Sequence, residues 1–344
     1  MVVKKDIRSL SIDQLKEILE QNSFQSFRAK QIYHWLWKKS SHDFSSMHNL
    51  PKKLLTFLEN NFVIRNIEIS KQQKSKDGTI KNAIKLFDDL IVECVLIPSK
   101  DRITACISSQ VGCSLNCKFC ATSRLKRMRN LNADEIYDQV VLIAKQSQDF
   151  YKRPLTNIVF MGMGEPLMNY KNVTKAIEMI TSNVGLGMSS KRIVLSTSGV
   201  PKMIKKMADD NVKFKLAVSL HSAIDETRTR IMPFNAKMDL TELGDSLEYW
   251  YDKTKSLVTY EYVVWKGVND KEEDISALVN FCKKIPSKVN LIQYNSIDDP
   301  NFIQASNETL SKYISLLEKN NITATIRMSR GNDIDAACGQ LANK

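Results

Sequence analysis

Nowhere in the 344 residues does an apolar run approach the roughly 18–20 residues that a membrane-spanning helix needs. The opening residues, Met1-Val-Val-Lys-Lys-Asp6, have neither an apolar core nor a small-residue cleavage site. No secretory signal is expected, which points to the cytoplasm and away from membranes. Histidine is scarce: only His34, His42, His48 and His221 are present, which leaves little from which to build a Cys/His zinc site. No internal repeat or low-complexity tract stands out. With 43% hydrophobic and 26% charged residues, the composition excludes a disordered or collagenous chain. A chain of this length buries roughly three quarters of its unfolded surface, enough for one large α/β domain or two smaller ones.

Acidic residues are also under-represented. Fifty Lys and Arg against 38 Asp and Glu leave a net charge of +12, which favours a polyanionic partner such as nucleic acid. Half of that excess sits in residues 1–74, with 13 basic and 7 acidic residues. Residues 1–75 read as a small helical accessory domain that would bind RNA. Ser11-Ile-Asp-Gln14 has the form of a capping box, followed by Leu15, Ile18 and Leu19 at helical spacing. A second helix is expected from about Ser26 through Leu36, and a third from Pro51, carrying Leu54, Leu55 and Leu58. His34-Trp35-Leu36-Trp37 reads as core packing for this module, with base stacking as the alternative. Polar Lys71–Gly78 is the expected linker. Residues 76–98 then form a hairpin of two extended segments, Lys81–Phe87 and Leu90–Ile97, turning at Asp88-Asp89.

From residue 99 to 344 short β-branched runs alternate with helical stretches. The expected strands are Ile103–Ser108, Asn157–Met161, Arg192–Thr197, Lys215–Leu220, Val258–Trp265, Val289–Tyr294 and Thr323–Met328. Helices are expected at Asp134–Lys145, Val173–Thr181, Leu240–Tyr251, Ile275–Lys284 and Leu310–Lys319. Such alternation predicts βαβ units and buried parallel strands. An α/β architecture closed into a partial (β/α) barrel of the TIM type follows, with a doubly wound open sheet as the alternative.

Three of the seven cysteines fall within eight residues, as Cys113-Ser-Leu-Asn-Cys117-Lys-Phe-Cys120. This C-x3-C-x2-C spacing suits three irons of a cubane [4Fe–4S] cluster, leaving the fourth iron open to another ligand. Structural zinc, the alternative, would want a fourth Cys or His nearby.

The motif, with Phe119 before its last cysteine, resembles the radical S-adenosylmethionine (SAM) superfamily. Ser108-Ser-Gln-Val-Gly-Cys113, Phe160-Met-Gly-Met-Gly-Glu-Pro-Leu167, Ser196-Thr-Ser-Gly199, Ser219-Leu-His221 and Asp333-Ile-Asp-Ala-Ala-Cys-Gly-Gln-Leu341 extend the likeness over the whole chain. Together they resemble the RlmN family, radical SAM enzymes that methylate C2 of adenosine in 23S rRNA, at the peptidyl-transferase centre, and in tRNA, 3′ of the anticodon. The resemblance implies a [4Fe–4S] cluster on Cys113, Cys117 and Cys120. It assigns SAM, two molecules per turnover, to Gly164, Glu165, Ser196, Ser219, Leu220, His221 and Asn295.

By the same resemblance Cys338 carries the methyl group as S-methylcysteine. A radical formed on that methyl adds to adenine C2, Glu93 accepts the C2 proton, and Cys106 releases the product through a transient disulfide with Cys338. Glu93 by itself would read as the polar face of an alternating strand, and Gly339 would let the Cys338 loop swing. Cys94 and Cys282 have no assigned role. The basic stretch Lys118–Asn130 would bind phosphate, with a solvated face as the bland alternative. The implied partners are 23S rRNA, tRNA and an electron donor of the flavodoxin type, with the enzyme a monomer. Rival readings are a Cfr-like adenine-C8 rRNA methyltransferase, a radical SAM activase acting on a protein, and a zinc or RNA-binding module without catalysis.

Overall fold

The computed structural model describes residues 4–343. Among these residues ten strands form one sheet in simple chain order: β1 (Glu68–Lys74), β2 (Ile80–Lys85), β3 (Ile91–Pro98), β4 (Ile103–Cys106), β5 (Asn157–Phe160), β6 (Ile193–Thr197), β7 (Lys215–Ser219), β8 (Val258–Val263), β9 (Ser287–Ile292) and β10 (Thr323–Arg327). β4 to β10 are parallel, whereas β1 to β4 run antiparallel to one another. β10 and β1 are the two free ends, so the sheet curves as a partial barrel without closing. This is the α/β fold expected from the alternation of strand and helix.

Helices α4 (Ala133–Tyr151), α5 (Tyr170–Thr181), α6 (Pro201–Asp209), α7 (Asp225–Ile231), α8 (Leu240–Thr254), α9 (Glu272–Cys282) and α10 (Asn307–Lys319) connect the parallel strands. The strands carry apolar residues because both faces are covered: Ile158, Leu195, Leu216, Val258, Val289 and Leu291 are all buried. Each expected strand of this series is present, ending one or two residues earlier than expected in most cases.

Residues 71–78 are not a linker. Glu68–Lys74 is the edge strand β1, hydrogen-bonded to β2. Its polar, mostly exposed side chains suit an edge that faces water, which is why composition alone resembles a linker. The expected hairpin is present, with Leu86 N–H donating to the Leu90 carbonyl across Asp88-Asp89, but it belongs to the barrel sheet through β3 and β4.

The N-terminal helices are α1 (Ile12–Gln21), α2 (Arg28–Tyr33) and α3 (Lys52–Asn61), with Pro51 as the cap residue of α3. Ser11 and Gln14 satisfy each other's backbone N–H groups, as the sequence predicts. α2 runs on into a wider turn, His34–Lys38. Trp37 lies fully buried edge-on to Tyr137 of α4, at a centroid distance of 5.0 Å, so it packs and is not available to bases.

Arg8 locks this module to the barrel. Buried to 3% exposure, it donates to both oxygens of Asp138 at 2.8 and 2.9 Å, to Asp134 at 3.3 Å and to the Arg65 carbonyl. Replacing Arg8 with Met should leave buried carboxylates without their cation and cost about 3–5 kcal/mol. Urea unfolding should then show a lower midpoint with an unchanged slope.

Candidate active site

The loops after the parallel strands converge at one end of the barrel. The cysteine loop follows β4 and is pinched at its base by an antiparallel pair, Gln110–Val111 with Arg129–Asn130. Within it Cys120 N–H donates to the Cys117 carbonyl, and Lys118 N–H donates to the Ile231 carbonyl of α7 at 2.9 Å. Cys113, Cys117 and Cys120 border a single cavity together with Glu165, Ser196, Ser219, His221, Asn295 and Cys338. Gly164 borders it as well. Its φ of +93° and the 2.4 Å from an added Cβ to the Gln110 side chain leave room for glycine alone.

Burial raises the Cys113 thiol to about 11 and lifts Cys117 well above its usual value, and the three thiols influence one another. Among the described residues no three His, Cys, Asp or Glu side chains close around a single ion. A cubane, by contrast, takes each thiolate on a different iron. The cavity also contains buried donors lacking partners among the described residues, Trp265 Nε1 and Tyr294 Oη. Buried polar groups are rarely left unpaired, so a polar ligand fits this space.

Glu165 lies after β5 and is 2% exposed. Its oxygens accept from Leu167 N–H at 3.0 Å and Ser198 N–H at 2.7 Å, which opposes the upward push of burial on its pKa. His221 sits in left-handed backbone, φ +57°, after β7. Its Nδ1 accepts from Val263 N–H at 3.1 Å, which assigns the proton to Nε2. Burial, helped by Arg228, lowers it to about 3, so the ring is neutral. Phe119, the aromatic residue of the cysteine motif, packs edge-on to it at 4.7 Å, and Trp265, which motif matching did not single out, lies 5.0 Å from Phe119. Leu220 does not border the cavity. Its side chain is core, and its carbonyl accepts from Arg228 at 3.1 Å.

The C-terminal loop reaches this cavity from the far end of the sequence. Ala121 N–H donates to the Gly339 carbonyl at 2.7 Å, the Thr122 hydroxyl to the Leu341 carbonyl at 2.6 Å, and Asn295 Nδ2 to the Cys338 carbonyl at 3.3 Å. Cys338 also borders a second cavity, the barrel lumen, which it shares with Cys106, Glu261 and Arg327. Burial raises Cys106 to about 12, opposed by Arg327. Arg327 in turn is held charged chiefly by Cys338 and by Glu261, 3.8 Å away. No disulfide is present among the described residues: Cys106 and Cys338 are free thiols, as are the other five cysteines.

Glu93 borders neither cavity. It is fully buried on β3, where Oε1 is 3.3 Å from Lys81 Nζ and Oε2 accepts from Ala342 N–H and Asn343 N–H at 2.8 and 3.1 Å. The C-terminal tail therefore stands between Glu93 and the cysteine cavity. The basic stretch after the cysteines is only partly free. Arg129 is bound to Asp88 and Glu135, and Arg124 to Asp299, while Lys118, Lys126 and Arg127 are exposed.

A family model described as the radical SAM superfamily matches residues 107–279, and one described as a ribosomal RNA large subunit methyltransferase N-terminal domain matches residues 5–64. A Flavobacterium johnsoniae protein called "probable dual-specificity RNA methyltransferase RlmN" is 62% identical over 343 residues, covering 100% of this chain and 98% of its own. A Campylobacter jejuni protein called "dual-specificity RNA methyltransferase RlmN" is 41% identical over 346 residues, covering 97% of each chain. The crystal structure of a radical SAM methyltransferase from Sphaerobacter thermophilus superposes with a TM-score of 0.92 at 35% identity, covering 99% of this chain and 100% of that one.

Purified without oxygen, the wild-type protein should be brown with about four irons and four sulfides per chain. Cys117→Ala should be colourless and iron-poor while keeping its far-ultraviolet circular dichroism.

Proposed function

The chain belongs to the RlmN family and is a radical SAM RNA methyltransferase, and from that premise we propose that it methylates C2 of adenosine in both 23S rRNA and tRNA through an S-methylcysteine at Cys338. The targets are the adenosine of the peptidyl-transferase centre and the one 3′ of the anticodon. The observation that carries this reading is that Cys338 shares one cavity with Cys113, Cys117 and Cys120, so a methyl group on its sulfur lies beside the cluster ligands.

Membership of the superfamily implies a [4Fe–4S] cluster and SAM, which when bound supply both an electrophilic methyl group and the one-electron chemistry that breaks an unactivated C–H bond. The three thiols would hold three irons, and the unpartnered donors of the cavity are suited to a polar nucleotide. Glu165, with unused lone pairs, would accept from the SAM ammonium, and neutral His221 would offer its Nε2–H. Asn295 positions the Cys338 backbone. Two SAM molecules serve each turnover, one for the methyl and one for the radical.

Cys106 and Cys338 face one lumen with Arg327 between them electrostatically. Once the methylene bridge joins Cys338 to C2, attack of the Cys106 sulfur on the Cys338 sulfur cleaves the S–CH2 bond. The electron pair goes to the product carbon, which takes up a proton to become the methyl group, and a disulfide remains that needs two electrons and two protons from a thiol reductant. Glu93 accepts the C2 proton, which requires the Ala342 and Asn343 amides to leave its carboxylate. The electron donor would be a flavodoxin-type protein, and the enzyme would work as a monomer.

The helical module ahead of β1 acts as the RNA-binding accessory domain, with Lys30, Lys38, Lys39, Lys52 and Lys53 exposed on it. The target adenosine has to leave its stack to reach the cavity, so a loop base is preferred. No helix among the described residues is long and apolar enough to cross a membrane.

With methyl-deuterated SAM, nucleoside mass spectrometry of both RNAs should show labelled 2-methyladenosine for the wild type and none for Cys338→Ala. Appearance of 8-methyladenosine would instead assign the Cfr-like chemistry, and label transfer without RNA binding would favour a protein substrate. Glu93→Gln should lower product formation by roughly 10²–10⁴-fold. RNA should then accumulate covalently on the protein, visible on a denaturing gel; wild-type rates in that variant would exclude Glu93 as the proton acceptor.

A further inference from the structure

Arg228 lies on α7 and is fully buried, at 0% exposure. All its hydrogen bonds go to neutral oxygens: the Leu220 carbonyl at 3.1 Å, Asn235 Oδ1 at 2.5 Å, the Ser198 carbonyl at 2.6 Å and the Ser219 carbonyl at 3.4 Å. Asp225, the acid that acts on it from its own helix, is exposed and is reached only through Asn235, which donates to Asp225 Oδ1 at 2.9 Å. No carboxylate forms an ion pair with Arg228 among the described residues. A buried cation without an acid costs several kcal/mol unless another negative group compensates it.

The missing charge lies on the other side. Arg228 lies on the helix that packs against Cys117, one turn before Ile231. α7 is stitched to the cysteine loop by the Lys118 to Ile231 hydrogen bond, and Ile231 and Met232 pack with Leu115 and Cys117. A cubane on three thiolates is net negative and gains one further negative charge on reduction. Net charge in the surroundings is one of the factors that set the potential of such clusters.

We propose that Arg228 is the internal counter-charge of the iron–sulfur cluster, a positioning residue that stabilises the reduced cluster and raises its reduction potential. Its hydrogen bonds also brace the carbonyls of Ser198 and Ser219, which border the cavity. This inference rests on the reading that Cys113, Cys117 and Cys120 hold a cubane.

The test compares midpoint potentials of anaerobically reconstituted wild type, Arg228→Gln, Arg228→Lys and Asn235→Asp by spectroelectrochemical titration, at matched iron and sulfide. The Gln variant should titrate at a more negative potential than wild type, and Lys should restore it. Asn235→Asp, which keeps Arg228 but supplies an acid against it, should also shift in the negative direction. Should the Gln variant fail to fold, the Asp variant decides alone. A cluster-loaded Gln or Asp variant at the wild-type potential overturns the inference and leaves the cluster assignment intact. A wild-type chain that takes up no cubane overturns the cluster assignment itself.

Discussion

The shape of the candidate site depends on a small set of hydrogen bonds that dock the C-terminal loop on the cysteine loop. The Thr122 hydroxyl and the Leu341 carbonyl are 219 positions apart in sequence, and with Ala121 N–H on the Gly339 carbonyl they hold Cys338 over the cavity. Ordering so distant a segment costs conformational entropy for every residue in it. Further bonds offset that cost: Gln340 Nε2 binds the Ser296 carbonyl at 3.0 Å and Asn332 Oδ1 at 2.7 Å, and the Ser75 hydroxyl binds Asp333 at 2.6 Å. The loop thus touches the barrel end, the lumen and the N-terminal hairpin together. Its docking also brings the Ala342 and Asn343 N–H groups onto the buried Glu93 carboxylate.

Around this loop the barrel end collects charges in a nearly dry space, and each has a specific answer to its desolvation. Glu165 is answered by backbone amides, His221 by staying neutral, and Glu93 by Lys81 and two tail N–H groups. Burial keeps the Cys113 and Cys117 thiols protonated. Arg228 is the charge whose answer does not come from a side-chain acid, and it lies against the same loop.

Much of this was legible in the residues. Parallel strands covered on both faces must be short apolar runs, and β4 to β10 were recognisable as such. The capping box at Ser11 and the turn at Asp88-Asp89 are local chemistry and formed as expected. β1 was not legible, because an exposed edge strand is held by backbone pairing alone and its side chains, Glu68 to Lys74, resemble a polar linker. Arg129 was read with its basic neighbours as a phosphate binder, and only the fold brings Asp88 and Glu135 to it. Arg228 sits in Asp225-Glu-Thr-Arg-Thr-Arg230, which reads as a solvated charge run. Nothing local shows that this one position of the six turns into the core.

By itself, then, the sequence determined the class of fold, the three-thiol motif and the family, because these rest on periodicity, spacing and long motifs that are local in the chain. The tertiary structure decided which of those residues share a space. Cys338 meets the cysteine cavity and the lumen, Glu93 is sealed by the tail, Leu220 turns away from the pocket, and Arg228 is buried without an acid. The physical reason is that burial and counter-charge are properties of distant segments brought together, and the free energy of a charged or reactive group depends on those neighbours more than on its own position in the chain.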